Sequence, residues 1–188
     1  MKKLKSRDYL YVLIFALIIS TQSIFAQDDD QELTEPVTVE KVDLNLYAGT
    51  WYEIARIPNR FQDQCVKNVT ATYTLRENGK IDVINRCVEE DGNVDEAEGI
   101  AQVVDEISFS KLEVSFVSFL GIRPFWGDYW ILGLEENYQY VVVGDPSRDY
   151  GWILSRTKKM KKEDLETCFK ILREQRYDPE KFVMTLQE

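Results

Sequence analysis

The sequence predicts an all-β fold: an eight-stranded antiparallel up-and-down β-barrel with a C-terminal α-helix packed on the outside and a short final strand. Three observations predict it. Short runs of alternating apolar and polar residues recur between Thr50 and Thr157. Turn-forming residues separate these runs at regular spacing. One amphipathic helical pattern follows them, and its apolar face needs a sheet to lie on. The pattern alone also admits a two-sheet sandwich.

The elements follow in order. Residues 50–58 form the first strand, stopped by Pro58. Residues 68–77 alternate Val69, Ala71, Tyr73 and Leu75 with Thr70, Thr72, Thr74 and Arg76. Asn78-Gly79 is a strong hairpin signal and delivers the chain into residues 81–88. Asp91-Gly92-Asn93 turns into residues 95–104, and residues 111–118 alternate Leu112, Val114 and Phe116 with polar neighbours. Residues 128–134, 138–144 and 150–157 complete the eight. The odd-numbered connections (59–67, 89–94, 119–127 and 145–149) share one end of such a sheet, which is therefore loosely looped; the other end is tightly turned. Eight strands close into a barrel just wide enough for one small ligand. Lys162 opens the helix, Leu165, Cys168, Phe169 and Leu172 share one face, and Asp178-Pro179 ends it. Residues 182–186 form the last strand.

Composition narrows the function. The 188-residue chain holds no His, three Cys and a net charge of −10. Without imidazole there is no Ser-His-Asp or Cys-His pair and no His-ligated metal, and three Cys cannot make a Cys₄ zinc site. No cofactor is expected. The acidic balance argues against a nucleic-acid partner. A binder is favoured over a catalyst.

Residues 1–26 read as a secretory signal peptide. Lys2, Lys3, Lys5 and Arg7 precede an apolar run over 9–19, and Ala26 is the expected cleavage point. The run is short of the ~20 residues of a spanning helix. Its removal leaves 19 basic against 32 acidic residues, a charge of −13. Residues 27–41 then form an acidic disordered leader ahead of a single domain over 42–188. The first cysteine is Cys65, so the cysteine of a lipid anchor is missing, and an exported protein is expected, periplasmic or secreted, associated with an outer membrane only without an anchor.

Three motifs are recognisable. The first strand carries Gly49-Thr50-Trp51, Gly127-Asp128-Tyr129 opens the sixth, and the eighth ends Trp152-Ile153-Leu154-Ser155-Arg156-Thr157. In that order, with the helix behind them, they resemble a lipocalin, most like the bacterial outer-membrane and apolipoprotein-D-like types. The resemblance implies that Trp51 plugs the closed end with Arg156 across its ring, and that Gly49, Asp128 and Tyr129 are structural. It implies a ligand cavity, for which alternation offers Ala55, Ala71, Tyr73, Asn85, Ala97, Gly99, Leu112, Val114, Phe116 and Tyr140. The small residues Ala97, Gly99 and Ala101 leave volume for a slender apolar ligand; a barrel filled by Tyr73, Phe116 and Tyr140 is the alternative.

The fifth connection, Phe119-Leu120-Gly121-Ile122-Arg123-Pro124-Phe125-Trp126-Gly127, is too apolar for a solvated loop. Phe119, Arg123, Phe125 and Trp126, with Arg60, are expected at the cavity mouth, whose loops are the candidate for a peripheral membrane contact. Arg60, Lys67, Arg123 and Arg148 are candidates to pair a ligand's carboxylate or phosphate, or neighbouring Asp and Glu. Cys65 and Cys87 both fall near the open end, and a bridge between them is sterically sensible; some apolipoprotein-D-like relatives tie the first loop to the C-terminal region, which leaves Cys65–Cys168 open. The expected function is a carrier or store of fatty acids or lysophospholipids serving the cell envelope, acting as a monomer or weak dimer. The alternatives are an isomerase-type enzyme using the Cys87 thiol and a surface interaction protein with a filled barrel.

Overall fold

The computed structural model describes residues 34–188. The signal segment expected over 1–26 and the leader up to residue 33 lie outside the described residues. Glu35–Glu188 form one compact unit.

Short α1 (Leu44–Tyr47) leads into eight strands: β1 (Gly49–Arg56), β2 (Lys67–Leu75), β3 (Ile81–Val88), β4 (Val94–Val103), β5 (Lys111–Ser115), β6 (Gly127–Leu134), β7 (Tyr140–Gly144) and β8 (Gly151–Ser155). Helix α2 (Lys162–Glu174), a 3₁₀ turn (Pro179–Lys181) and β9 (Val183–Met184) follow. Each strand pairs antiparallel with the next, and β1 pairs with both β8 and β2. The barrel is therefore closed, and β9 adds to β1 outside the ring.

The apolar alternation divides the buried residues into two sets. Trp51, Tyr73, Ile81, Val83, Leu112, Ile131, Val141, Val143 and Leu154 point into the barrel. Ile54, Ala55, Trp130, Leu132, Val142 and Ile153 point outward and are covered by Cys168 and Leu172 of α2 and by Tyr177. The helix thus buries the outer wall formed by β6 to β8 and β1. Glycines make room for it and for the turn that follows: a Cβ on Gly133 would sit 2.7 Å from Ile171 Cδ1 of the helix, and one on Gly144 2.1 Å from the Tyr177 hydroxyl oxygen.

Two irregularities correct the alternation. A bulge between Glu53 and Ala55 shifts the register of β1 against β8, so Ala55 pairs with Ile153 and faces α2 rather than the cavity. A one-residue shift moves every later side chain to the other face. Tyr140 likewise lies outside, beside the outer cluster, because Val141 and Val143 are the inward residues of β7. That strand is buried on both faces, so its sequence does not alternate.

The leader expectation also changes. Residues 35–41 are docked, not loose: Val39 N–H donates to Ile131 O (3.0 Å), Val37 N–H to Gln175 Oε1 (2.7 Å), and Ser110 Oγ to Thr38 Oγ1 (2.8 Å). The acidic run lies upstream, whereas Val37-Thr38-Val39 is β-prone and finds open backbone partners.

Candidate functional site

The tightly turned end is sealed first. Trp51 is fully buried, and its Nε1–H donates to Tyr47 O at 2.8 Å. Gly49 reaches it with φ +96°, a conformation that favours glycine, and a Cβ there would stand 3.4 Å from Arg156 Nη1. Arg156 lies over the indole and donates to the carbonyls of Thr50, Leu46, Tyr47 and Ala48. Asp128 is exposed at the start of β6.

Above this plug the barrel is hollow. A cavity of about 660 Å³ opens at the loosely looped end, within the usual range of small-ligand sites. Its walls are largely apolar: Val69, Ala71, Ile81, Val83, Ala101, Leu112, Val114 and Leu154. Asn85 and Ala97 also line it, and Phe116, Phe125 and Trp126 stand at its mouth. Three tyrosines form the floor. Tyr47 and Tyr129 hydroxyl oxygens are 2.7 Å apart, and those of Tyr73 and Tyr129 are 2.9 Å apart. Burial pushes the Tyr73 phenol up to about 12, and holds Tyr47 and Tyr129 well above the ordinary phenol value. All three are neutral hydrogen-bonding groups at any ordinary pH.

Gly99 does not line this cavity. It belongs to the inward row of β4, but the Phe116 ring lies across it, so close that a Cβ would meet Phe116 Cδ1 at 2.7 Å. The missing side chain is filled by a neighbour's ring, not left as volume.

Several lining residues escape the alternation: Tyr47 on α1, Phe61 and Gln62 in the first loop, and Tyr150, Trp152 and Leu154 around β8. Trp152 and Leu154 flank the outward Ile153, and that two-residue spacing is the signal that marks them. Glu53 is a buried carboxylate on the wall, held by Arg56 Nη1 (2.7 Å), Gln62 Nε2 (2.8 Å) and Thr185 Oγ1 (2.5 Å). Its charge is balanced inside the wall by Arg56.

Of the four candidate cations, Arg123 stands away from the mouth, Lys67 and Arg148 are engaged by the protein, and Arg60 lies at the opening. Arg123 leaves the mouth: its Nη1 donates to Ser115 O at 2.7 Å, and it borders a groove on the outer face of β2 to β4. There Asp82, held low mainly by its hydrogen bond from Arg76, also feels the Arg123 charge. Lys67 pairs with Glu188 (2.6 Å), and Arg148 donates to Gln175 O (2.8 Å). Arg60 lies 5.1 Å from the Phe61 ring centroid, beside the opening.

The fifth connection is a hairpin. Phe119 and Ile122 exchange two backbone hydrogen bonds of 2.9 Å around Leu120 (φ 51°) and Gly121 (φ 79°), the two left-handed residues of a type I′ turn. Phe119, Leu120, Ile122 and Phe125 are exposed, Leu120 by 87%. Beside the opening, Cys65 and Cys87 form a disulfide with Cα atoms 5.5 Å apart, and Cys168 is a buried free thiol on α2.

A closed eight-stranded up-and-down barrel, plugged at one end by a Trp–Arg pair and hollow above it, with a helix on its flank, is the lipocalin architecture. The chain belongs to that family: residues 42–187 match the lipocalin-like domain. It is 40% identical to temperature-induced lipocalin-1 of Arabidopsis thaliana over 159 residues, covering 83% of this chain and 85% of that one. It is 37% identical to the outer membrane lipoprotein Blc of Escherichia coli K12 over 150 residues, covering 79% and 81%. Apolipoprotein D of Macaca fascicularis is 34% identical over 189 residues, covering 94% and 96%. Among solved structures, insecticyanin from the tobacco hornworm Manduca sexta superposes with a TM-score of 0.64 at 24% identity, covering 81% and 83%.

Proposed function

We propose that the protein is an exported carrier or store of single-chain lipids, fatty acids or lysophospholipids, serving the cell envelope. The observation that carries this reading is the apolar cavity of about 660 Å³, open at one end only. Burial of one CH₂ contributes about 0.8 kcal/mol, so a chain of roughly 14 methylenes offers an upper bound near 11 kcal/mol. Micromolar binding needs about 8. Chain burial therefore supports binding on its own, and a polar head stays at the mouth beside Arg60.

The exposed hairpin supports loading at a membrane. Phe125 lines the cavity mouth and is 70% exposed, so one apolar surface runs from the cavity to the hairpin tip. A lipid leaving a bilayer along it stays out of water. Among the described residues no helix is long and apolar enough to cross a membrane, and in this reading the contact is peripheral.

Catalysis is not part of the reading. Cys87, the inward-facing sulfur that an isomerase-type mechanism would use, is held in the disulfide with Cys65. The test is organic extraction of the exported protein followed by mass analysis. Fatty acid or lysophospholipid at near-stoichiometric amount supports the carrier reading. A protein that yields no lipid and rejects added acyl chains contradicts it.

A further inference from the structure

The floor of the cavity holds more polar chemistry than a greasy chain requires. Three hydroxyls (Tyr47, Tyr73 and Tyr129) bring three donatable protons, and two hydrogen bonds link them. Among the described residues one proton is left without an acceptor. The neighbouring surface is apolar: Trp51, Ile81, Val83 and Leu112 surround the cluster. A buried donor without an acceptor is costly, and a cluster of three tyrosines where phenylalanines would fill the same space calls for a partner.

We propose that this tyrosine cluster is a subsite for an uncharged oxygen at the end of the ligand that enters first, so that the cavity takes chains oxygenated at both ends, such as hydroxylated fatty acids. The proposal rests on the lipid-binding reading above and specifies its ligand. A hydroxyl or carbonyl accepts the spare proton, and a hydroxyl can also donate to a phenol oxygen. A carboxylate is disfavoured at this depth. The nearest cation, Arg156, stacks on Trp51, and its guanidinium N–H groups are taken up by backbone carbonyls of Thr50, Leu46, Tyr47, Ala48 and Tyr138. The raised phenol pKa values report the same thing, an environment that resists negative charge. The ligand's charged head therefore stays at the mouth and its neutral oxygen goes to the floor. A water on the tyrosines before binding would be replaced by that oxygen.

The test compares two probes of equal chain length, dodecanoic acid and 12-hydroxydodecanoic acid, by calorimetric titration. The wild type and the triple variant Tyr47→Phe/Tyr73→Phe/Tyr129→Phe are titrated with each. The wild type is expected to hold the hydroxylated chain within about threefold of the plain one. Removing a single hydroxyl leaves a free donor on those that remain, so all three are replaced together, and the ratio of affinities for the hydroxylated and the plain chain should then fall about tenfold or more. Cooperative unfolding in urea shows that the variant is folded. An unchanged ratio between the two probes in the variant overturns the subsite and leaves the carrier reading intact. Failure of the wild type to bind either probe overturns both.

Discussion

The guanidinium carbon of Arg156 lies 3.8 Å from the ring centroid of Trp51, one element closing the barrel over another that is 105 residues away in sequence. The stack is worth roughly 0.5–2 kcal/mol, and the carbonyls of α1 and β1 that Arg156 satisfies add to it. Lysine presents a compact ammonium with neither the planar face nor the fork of donors. Arg156→Lys should therefore lower stability by about 2 kcal/mol, and Trp51→Ala by about 3–5 kcal/mol, as read by urea unfolding. A loss below the measurement error for Arg156→Lys would show that the carbonyls are satisfied without it.

The disulfide closes a stretch with a sequence separation of 22 and fixes the first loop against β3 at the mouth. Replacing both Cys65 and Cys87 by Ser should cost about 3 kcal/mol. Thiol titration of the folded wild type should find no reactive group, and unfolding without reductant should release one, Cys168. Two or more thiols would contradict the pairing.

Alkaline pH should destabilise the fold. Burial, with a smaller effect of the Asp164 charge, pushes the Cys168 thiol from its ordinary 9.0 up to about 12; burial moves Tyr73 from 10.0 to about 12. In the unfolded chain both ionise near their ordinary values, while in the fold both stay neutral. The stability they contribute is complete below pH 9 and is lost as pH rises toward 12. The thermal midpoint should fall between pH 8 and 11, with Cys168→Ala flattening the first part of the fall. A midpoint that does not move over that interval would contradict the assigned burial.

The hairpin tip should govern attachment to bilayers and not the cavity. Leu120→Ser with Ile122→Ser removes two exposed apolar side chains that do not line the cavity. Co-sedimentation with phosphatidylcholine–phosphatidylglycerol vesicles should weaken at least tenfold. Equal sedimentation of variant and wild type would remove the hairpin from the membrane account.

What the sequence makes legible follows from where water touches the sheet. In β2, Val69, Ala71 and Tyr73 face the cavity while Thr72 and Thr74 face outward, and the alternation states the register directly. In β7 both faces are covered, one by the barrel interior and one by α2, so Val141, Val142 and Val143 carry no such contrast and Tyr140 is assigned to the wrong side. Ala55 is misplaced for a different reason: a bulge is a backbone event with no side-chain signature in Glu53-Ile54-Ala55. Gly99 shows a third limit, since an absent side chain marks either empty space or a neighbour's ring, here Phe116. The mouth cations depend on loop geometry; the I′ turn at Leu120-Gly121 carries Arg123 to the outside, and turn type is set by φ values that composition does not state.

The central claim, that a single lipid chain occupies the barrel, is tested most directly by quenching of tryptophan fluorescence with a fatty acid brominated at mid-chain. Trp126 and Trp152 line the cavity, so a chain inside it lies beside both indoles. Titration should give saturable quenching at one chain per protein, with a dissociation constant in the micromolar range. Ala71→Phe, which places a ring in the cavity space beside Trp51 and Asn85, should weaken it at least tenfold while the protein still unfolds cooperatively. Quenching that never saturates, or that is the same in Ala71→Phe, would contradict the account.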